Sequence, residues 1–476
     1  MASNPAPAPV KIKFGTSGWR ALIADEFTFG NVRRVTAAIA GHALSRSKKP
    51  TLIVGHDTRF FSEEFARAAC LVLREHGIGV LLCGEPTPTP AIAYEILRRT
   101  TDGAINFTAS HNPAEYHGLK FSGADGGPAL PEVTKDIEAR CEKIAPSGGA
   151  PSPHDGLSGV EPMDPRPAYL ARLNELVRFD AIRRAGLKIV CDPLHGCGAG
   201  YLDRALADQG IAVTAIRTNR DVLFGGHPPE PAEEHMGPLR QAMKESGAQV
   251  GLATDGDADR FGIMDADGAM VSPNHILALL YDYMVESRGW KLGTARSVAT
   301  THLLDAAARY HGVAVYQTPV GFKYVGELIK QDKIALGGEE SAGLSIRGHV
   351  PEKDGILACL LVAEMVATRQ ASLGEQLRAL FEKVGAEYWP LRVNLRLSEE
   401  LKQRTVERLQ QEFTKFAGRK VAQSDRTDGT KLVFENGWWV LMRLSGTEPL
   451  LRLYTEADSP ENAKRLAEEA ERWIHE

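Results

Sequence analysis

Thr108-Ala109-Ser110-His111-Asn112-Pro113 and Asp255-Gly256-Asp257-Ala258-Asp259-Arg260 are the two stretches of this 476-residue chain whose residue types best suit chemistry. The first offers a hydroxyl that could carry a phosphoryl group. The second offers three carboxylates that could hold the divalent cation such a group needs. Ile105-Asn106-Phe107 leads into the serine and Pro113 blocks helix continuation after it, so Ser110 is expected on a constrained turn at a strand end. A serine hydroxyl is a poor nucleophile until a base or a charge-neutralising environment activates it. His111 and Lys120 are local candidates, and Arg20 could arrive from elsewhere. Taken alone, a run of Thr, Ser, Asn and Pro is more often a capping turn.

Aspartates at alternate positions, separated by the small Gly256 and Ala258, can converge on one hard cation, and oxygen-only ligands favour Mg²⁺ over zinc or copper. A calcium loop of the EF-hand kind is excluded by spacing, because it would want Gly at 260 and Glu at 266, where the chain has Arg260 and Ala266. Two further strings offer grips for a polar ligand. In Gly338-Glu339-Glu340-Ser341-Ala342-Gly343, Glu339 and Ser341 can accept from and donate to vicinal hydroxyls. Arg443-Leu444-Ser445-Gly446-Thr447, with Arg452 five residues on, offers guanidinium, hydroxyl and backbone donors that suit a phosphate. Each string alone reads equally as an ordinary turn.

The elements that must position these residues alternate between apolar β-rich runs and helical ones. Thr51 to Val54, Lys188 to Cys191, Gln249 to Ala253, Ser297 to Ala299 and Ile334 to Leu336 read as buried strands, and Ser62 to Glu75 as a helix with Phe65, Ala69 and Val72 on one face. This is an α/β pattern with largely parallel sheets. Residues 146–167, rich in Pro, Gly and Ser, read as a linker. Residues 291–340 start a fresh α/β segment that the helix 354–369 is expected to close. After about Ala386 the texture changes. Residues 388–397 alternate, 432–441 read as a hairpin around Glu435-Asn436-Gly437, and Ser459-Pro460 opens a last helix.

Composition narrows the function further. The apolar fraction is 43%, the charged fraction 25% and the net charge −5, which excludes general affinity for nucleic acid or an anionic membrane. The length predicts two to four domains. Cys70, Cys83, Cys141, Cys191, Cys197 and Cys359 form no CxxC pair and are expected to be reduced packing residues of a cytoplasmic protein. The Pro- and Ala-rich first ten residues read as a tail rather than a targeting segment, and no apolar run reaches membrane-spanning length. Gly196-Cys197-Gly198-Ala199-Gly200 fails the dinucleotide pattern at Tyr201, and there is no Walker A string, so dehydrogenase and kinase readings are poor.

The four strings, in this order, resemble the α-D-phosphohexomutase family, the phosphoglucomutases and phosphomannomutases. Gly15-Thr16-Ser17-Gly18-Trp19-Arg20 resembles its N-terminal string, and Thr318-Pro319-Val320-Gly321-Phe322-Lys323 and Glu352-Lys353-Asp354-Gly355 resemble its glucose-type members. The resemblance implies three similar α/β domains with mixed, largely parallel sheets plus a C-terminal α+β domain, around a central cleft that closes on substrate. The boundaries expected are 1–165 with the phosphoserine loop, 166–273 with the metal loop, 274–385 with the sugar loop and 386–476 with the phosphate loop. By the same resemblance Ser110 is the serine phosphorylated in the resting enzyme. Mg²⁺ is held by Asp255, Asp257, Asp259 and an oxygen on Ser110, and Arg260 reaches the same phosphate. Lys323, Glu339 and Ser341 bind the sugar, and Arg443, Ser445, Gly446, Thr447 and Arg452 clamp its distal phosphate. His111, Lys120 and Arg20 share proton transfer and charge stabilisation, with the base left open among them.

The reaction implied is reversible transfer between hexose 1-phosphate and 6-phosphate, glucose favoured, with hexose 1,6-bisphosphate as intermediate and activator. The partner is a small phosphosugar, with no nucleic acid or membrane, and the chain is a monomer or dimer. A phosphomannomutase or dual-specificity enzyme, a Mg²⁺-dependent sugar phosphatase and a non-catalytic phosphosugar-binding protein are the alternatives. Glu339-Glu340-Ser341 differs from the Glu-Gln-Ser usual in phosphoglucosamine mutases, which speaks against that substrate. Two positions depart from the usual pattern. Ala342 replaces a usual Gly. His117 replaces a usual Asn before Gly118 and introduces a titratable group near the serine loop. His302, after a strand, is a candidate cleft residue, although a lone histidine is more often structural.

Overall fold

The apolar runs of the first third become the parallel strands of one sheet. The computed structural model describes residues 10–15, 18–150, 156–444 and 450–476. In it, Thr51–His56 is flanked by Gly79–Cys83 and Gly103–Phe107, both parallel to it. Tyr116–Gly123 and then Trp19–Leu22 extend the sheet in antiparallel sense. Val160–Met163 forms the opposite edge, parallel to Gly79–Cys83. The expected linker at 146–167 therefore contains a strand. Pro162 hid it from the sequence, because proline cannot donate to a ladder and is tolerated only at such an edge. Helix Ser62–Glu75 has the expected bounds and buries Phe65, Ala69 and Val72.

A second sheet follows in the order Met270–Val271, Phe261–Met264, Val250–Thr254, Lys188–Asp192, Ala212–Ala215. The last three strands are mutually parallel, and Phe261–Met264 turns back antiparallel on Val250–Thr254. The acidic run 255–260 is thus the tight connection at the carboxyl end of a buried strand. That end of an open α/β sheet is where ligands bind. Both sheets lie in one compact unit, residues up to Val271 together with Gly343–Ser372.

Helix Gly355–Arg369 packs on strand Gly343–Ile346 just before it, and also on strands Val250–Thr254 and Phe261–Met264 and on helix Phe179–Ala185. It is apolar on every side and buried continuously from Gly355 to Ala367, so periodicity could not tell which sheet it would serve. Its first residue meets the acidic loop. Gly355 N–H donates to the Ala258 carbonyl at 3.1 Å, and a Cβ at 355 would fall on the Arg260 carbonyl.

The second unit holds Ser272–Ala342 and Leu373–Glu476. Its first half has Gly293–Ser297 between Val315–Thr318 and Ile334–Glu339, all parallel. The strand expected at 297–299 ends at Ser297 and begins four residues earlier. Arg296, buried in the strand and paired with Asp305 and Gln317, broke the apolar pattern. The second half is an antiparallel sheet of Trp389–Arg396, Leu450–Ala457, Trp439–Leu444, Thr430–Phe434, Arg419–Asp425 and Lys415–Phe416. Helix Pro460–His475 packs on it, capped by the Ser459 side chain, which accepts from Asn462 N–H. The chain therefore has three α/β segments and a C-terminal α+β segment.

All six cysteines are buried and none forms a disulfide. Burial pushes the Cys70 and Cys83 thiols up to about 12, so they act as packing groups. No single helix among the described residues is long and apolar enough to cross a membrane.

Gly355→Ala should lower stability by about 1–3 kcal/mol, because backbone on both sides must move to admit the methyl group. A urea midpoint equal to the parental value would contradict the close approach of this helix to the acidic loop.

Candidate active site

Strand Gly103–Phe107 delivers Ser110 three residues beyond its end. Ser110 is buried, and its φ of +54° lies in the left-handed region, a strained conformation for a non-glycine residue. Its N–H donates to Thr108 Oγ1 at 2.8 Å, which stabilises the turn. Its hydroxyl donates to Asp255 Oδ2 at 2.7 Å and lies 3.4 Å from His111 Nδ1. Gly256 makes the approach possible, since a Cβ there would sit 2.5 Å from the Ser110 carbonyl oxygen. The serine loop and the acidic loop, separated by 145 residues in sequence, are therefore in direct contact.

Asp255, Asp257 and Asp259 are fully buried, each with a carboxylate oxygen within 4.8 Å of the others. Asp255 Oδ1 accepts from Arg260 N–H at 3.0 Å. Asp257 Oδ2 accepts from Thr89 Oγ1 at 2.5 Å and from Lys120 Nζ at 2.6 Å. Asp259 Oδ2 accepts from Lys120 Nζ at 2.7 Å and Lys353 Nζ at 2.8 Å. The other oxygens, Asp257 Oδ1 and Asp259 Oδ1, are buried with no hydrogen-bond partner. Buried carboxylate oxygens are costly to leave unpaired. Two orphaned oxygens beside a third carboxylate are the donor set a small hard cation requires, so the residues fit Mg²⁺.

Charge is distributed unevenly around the trio. Burial and then the neighbouring Asp259 and Asp257 push Asp255 up to about 8, since it has no lysine of its own. Asp259 resists burial because Lys120, Lys353 and Arg260 hold it well below the usual carboxylate range. Burial also works against the Lys120 ammonium, but Asp257 and Asp259 outweigh it and hold Lys120 above its ordinary value. His111 is pushed well below its ordinary value, first by burial and then by Arg260 and Arg20, which leaves a neutral imidazole. Burial, then Arg260, lowers Arg20 to about 10. Its Nη1 donates to Asn112 Oδ1 at 2.6 Å, so it too reaches the serine loop. Arg260 Nε is buried without a partner.

Three further side chains reach this site, and the sequence marked none of them as a partner of the trio. Lys353 gives the trio its second ammonium, Thr89 gives a hydroxyl, and Glu352, buried, accepts from Lys353 N–H at 2.9 Å. No local pattern marks a distant lysine or threonine as a partner of a given carboxylate. Glu352 and Lys353 drew attention only as part of a string that resembles glucose-type members, not as neighbours of the acidic run.

The remaining expected residues lie in the second unit. Glu339 ends strand Ile334–Glu339, and its Oε1 accepts from Gly321 N–H at 2.7 Å, which ties it to the segment carrying Lys323. Ser341 is half-buried just beyond. Arg443 Nε donates to Asp428 Oδ1 at 2.8 Å, and Asp428 Oδ2 accepts from Val320 N–H at 3.0 Å. Arg452 is the antiparallel partner of Arg443, and its Nε is buried without a partner. Two guanidinium groups across one strand pair attract an anion. Ser445, Gly446 and Thr447 lie outside the described residues. His302 is structural in its bonding, with its N–H on Glu456 and its Nε2 2.9 Å from Lys431 Nζ.

Comparison with known proteins decides the family. Residues 11–147, 167–268 and 272–384 match the alpha/beta/alpha domains I, II and III of phosphoglucomutase/phosphomannomutase, and residues 393–472 match its C-terminal domain. A Thermococcus kodakarensis protein named phosphoglucomutase/phosphomannomutase is 30% identical over 96% of both chains. The chain belongs to the phosphoglucomutase/phosphomannomutase family. A Thermococcus gammatolerans protein provisionally named a phosphoglucosamine mutase is 31% identical over 97% of this chain and 98% of its own. The crystal structure of a Thermus thermophilus protein provisionally called a phosphomannomutase superposes with a TM-score of 0.85 at 34% identity, over 98% of this chain and all of the other.

Both unusual residues of this phosphoglucomutase/phosphomannomutase chain acquire a physical account. Ala342 takes φ +67°, a conformation glycine adopts freely and alanine at a cost of about 1 kcal/mol. His117 is fully buried, stacked on Phe27 at 4.9 Å, with Nε2 3.0 Å from Ser62 Oγ and Nδ1 accepting from Gly118 N–H at 2.8 Å. Burial dominates and lowers its pKa from 6.5 to about 4, although Asp57 works the other way. The unfolded chain therefore takes up a proton that the folded chain refuses. Stability is undiminished above the unfolded value and falls between pH 6.5 and 4, by about 3 kcal/mol from this group. His117→Asn should flatten the decline of the urea midpoint in that window. An unchanged slope would contradict the buried neutral imidazole.

Proposed function

We propose that this protein is a reversible phosphohexomutase that exchanges hexose 1-phosphate and hexose 6-phosphate, with glucose the favoured sugar. Phospho-Ser110 gives its phosphoryl group to the free sugar hydroxyl, a hexose 1,6-bisphosphate forms and turns over, and its other phosphate returns to Ser110. The observation that carries this reading is the 2.7 Å contact between Ser110 Oγ and Asp255, beside two carboxylate oxygens with no other partner.

In the transfer, the bond from Ser110 Oγ to phosphorus breaks with its electron pair on Oγ, a bond from the sugar hydroxyl oxygen to phosphorus forms, and the hydroxyl proton passes to a base and from it to Ser110 Oγ. His111 enters as a neutral imidazole 3.4 Å from Ser110 Oγ, whereas Lys120 is held as an ammonium by Asp257 and Asp259. That difference favours His111 as proton acceptor and Lys120 as charge stabiliser. Arg20 and Arg260 supply further positive charge at the phosphoryl group. Mg²⁺ bound by Asp255, Asp257 and Asp259 would neutralise phosphate charge as it shifts. Lys323, Glu339 and Ser341 form the sugar-binding set. Arg443 and Arg452, with Ser445, Gly446 and Thr447, form the phosphate clamp, which must accept the sugar in two orientations. The enzyme is cytoplasmic in this reading.

Ser110→Ala should reduce mutase turnover by about a thousandfold or more, and mass spectrometry should find one phosphate on the parental chain and none on the variant. Near-normal turnover would refute covalent transfer. Chelation of divalent cations should silence the enzyme and added Mg²⁺ should restore it, whereas full activity without metal would reject the acidic-loop assignment. The names of the relatives favour a second reading in which mannose or a glucosamine derivative is the true substrate. Glucose, mannose and N-acetylglucosamine 1-phosphates assayed side by side separate the two. Release of inorganic phosphate without an isomeric product would identify a phosphatase instead.

A further inference from the structure

We infer that Arg59 is a positioning residue for the phosphoryl-carrying serine, holding the 110–116 loop in the strained conformation that turns Ser110 Oγ onto the acidic loop. The inference rests on the function proposed above and adds to it a residue outside the reacting set. Arg59 is fully buried, and all five of its guanidinium N–H donors are committed. Nη2 donates to the carbonyls of Ser110 at 2.8 Å and Asn112 at 2.6 Å. Nη1 donates to the carbonyls of Pro113 at 2.7 Å and Tyr116 at 3.1 Å. Nε donates to Asp57 Oδ2 at 3.1 Å.

Four of these bonds end on backbone carbonyls of residues 110–116, a segment with no ladder of its own until Tyr116 opens the next strand. A left-handed serine costs about 1–3 kcal/mol unless its surroundings over-determine it, and the clamp on its own carbonyl is that over-determination. The geometry is also directional. With the Ser110 carbonyl fixed on Arg59 and its N–H on Thr108 Oγ1, the peptide planes on both sides of Ser110 are set, and the side chain is left facing Asp255.

Arg59 is itself held rigidly. Asp57 Oδ1 accepts from Arg59 N–H at 2.9 Å and from Ser62 Oγ at 2.6 Å, and Ser62 Oγ meets His117 Nε2 at 3.0 Å. Asp57 can only accept, so the one Ser62 hydrogen goes to it; His117 Nε2 then carries the hydrogen that Ser62 Oγ accepts, and Nδ1 is left to accept from Gly118 N–H. Donation thus runs from Gly118 through His117 and Ser62 to Asp57, and from Arg59 to the same carboxylate, so that Asp57 accepts from both sides and every member is satisfied. On the other side the guanidinium lies 5.0 Å from the centre of the Phe224 ring, and Arg220 Nη2 donates to the Arg59 carbonyl at 3.1 Å. Buried networks satisfied at every member rigidify what they hold. None of these groups other than Ser110 belongs to the set proposed to touch substrate or cation.

The test uses the full chain. Arg59→Lys keeps the charge but offers at most three donors from a single nitrogen, which cannot span four carbonyls. Ser62→Ala removes one bond to Asp57 and serves as the milder variant if Arg59→Lys does not fold. Hydrogen exchange of residues 108–118 reads the clamp whatever the protein's activity, and should accelerate about tenfold or more in Arg59→Lys and less in Ser62→Ala. The rate of phosphoryl transfer per phosphorylated Ser110 should fall about 100-fold in Arg59→Lys, with KM for the sugar phosphate within about threefold of parental. A general loss of folded protein would not produce that split, because the rate is counted per phosphoserine. Unchanged exchange overturns the clamp. Faster exchange with an unchanged transfer rate overturns its part in positioning. A parental chain with neither phosphoserine nor turnover overturns the proposed function alone, and exchange still decides whether Arg59 holds the loop.

Discussion

Three carboxylates buried within bonding reach of one another are the constraint on which the first unit depends. Unpaired, they would repel and would lose their hydration, and breaking even one buried ion pair costs about 3–5 kcal/mol. The chain answers with positive charge and donors drawn from many places. Lys120 comes from the antiparallel strand beside the serine loop, Lys353 from the segment before helix Gly355–Arg369, Thr89 from the start of another helix, and Ser110 from the turn itself. Elements distant in sequence are brought to one point because the acidic loop requires their side chains there.

Close backbone approach makes this convergence possible. Gly256 lets the Ser110 carbonyl lie against the acidic loop, and Gly355 lets a helix start against the Arg260 carbonyl. The balance is incomplete. Two lysines serve two aspartates, Asp255 is left to a hydroxyl and a backbone N–H, and two oxygens face no donor. A site satisfied entirely by lysines would have no use for a cation. The unmatched oxygens are the features that separate a binding site from a buried ion-pair network.

The sequence showed the chemistry more clearly than the connectivity. Alternating aspartates between an apolar strand and Phe261-Gly262-Ile263-Met264 pointed to oxygen donors for a cation and placed the run at a strand end, because spacing and flanking hydrophobicity are local properties. The turn at Ser110 was legible from Pro113 for the same reason. Edge strand Val160–Met163 was not, since its proline mimics a linker. Strand Gly293–Ser297 was hidden by Arg296, whose charge is neutralised only by the folded neighbour Asp305. The destination of helix Gly355–Arg369 was illegible in principle, because a helix apolar on all sides carries no directional signal. The pairing of Lys353 with Asp259, and Arg59 altogether, escaped notice because their importance lies in partners about a hundred and about fifty residues away.

A crystal structure of the full chain grown with Mn²⁺, with the metal located by anomalous scattering, tests the central claim most directly. The account predicts one peak about 2.0–2.3 Å from an oxygen of each of Asp255, Asp257 and Asp259, with the Ser110 side-chain oxygen or its phosphate completing the coordination. A metal bound elsewhere, or a Ser110 side chain turned away from a metal held by the three aspartates, would contradict it.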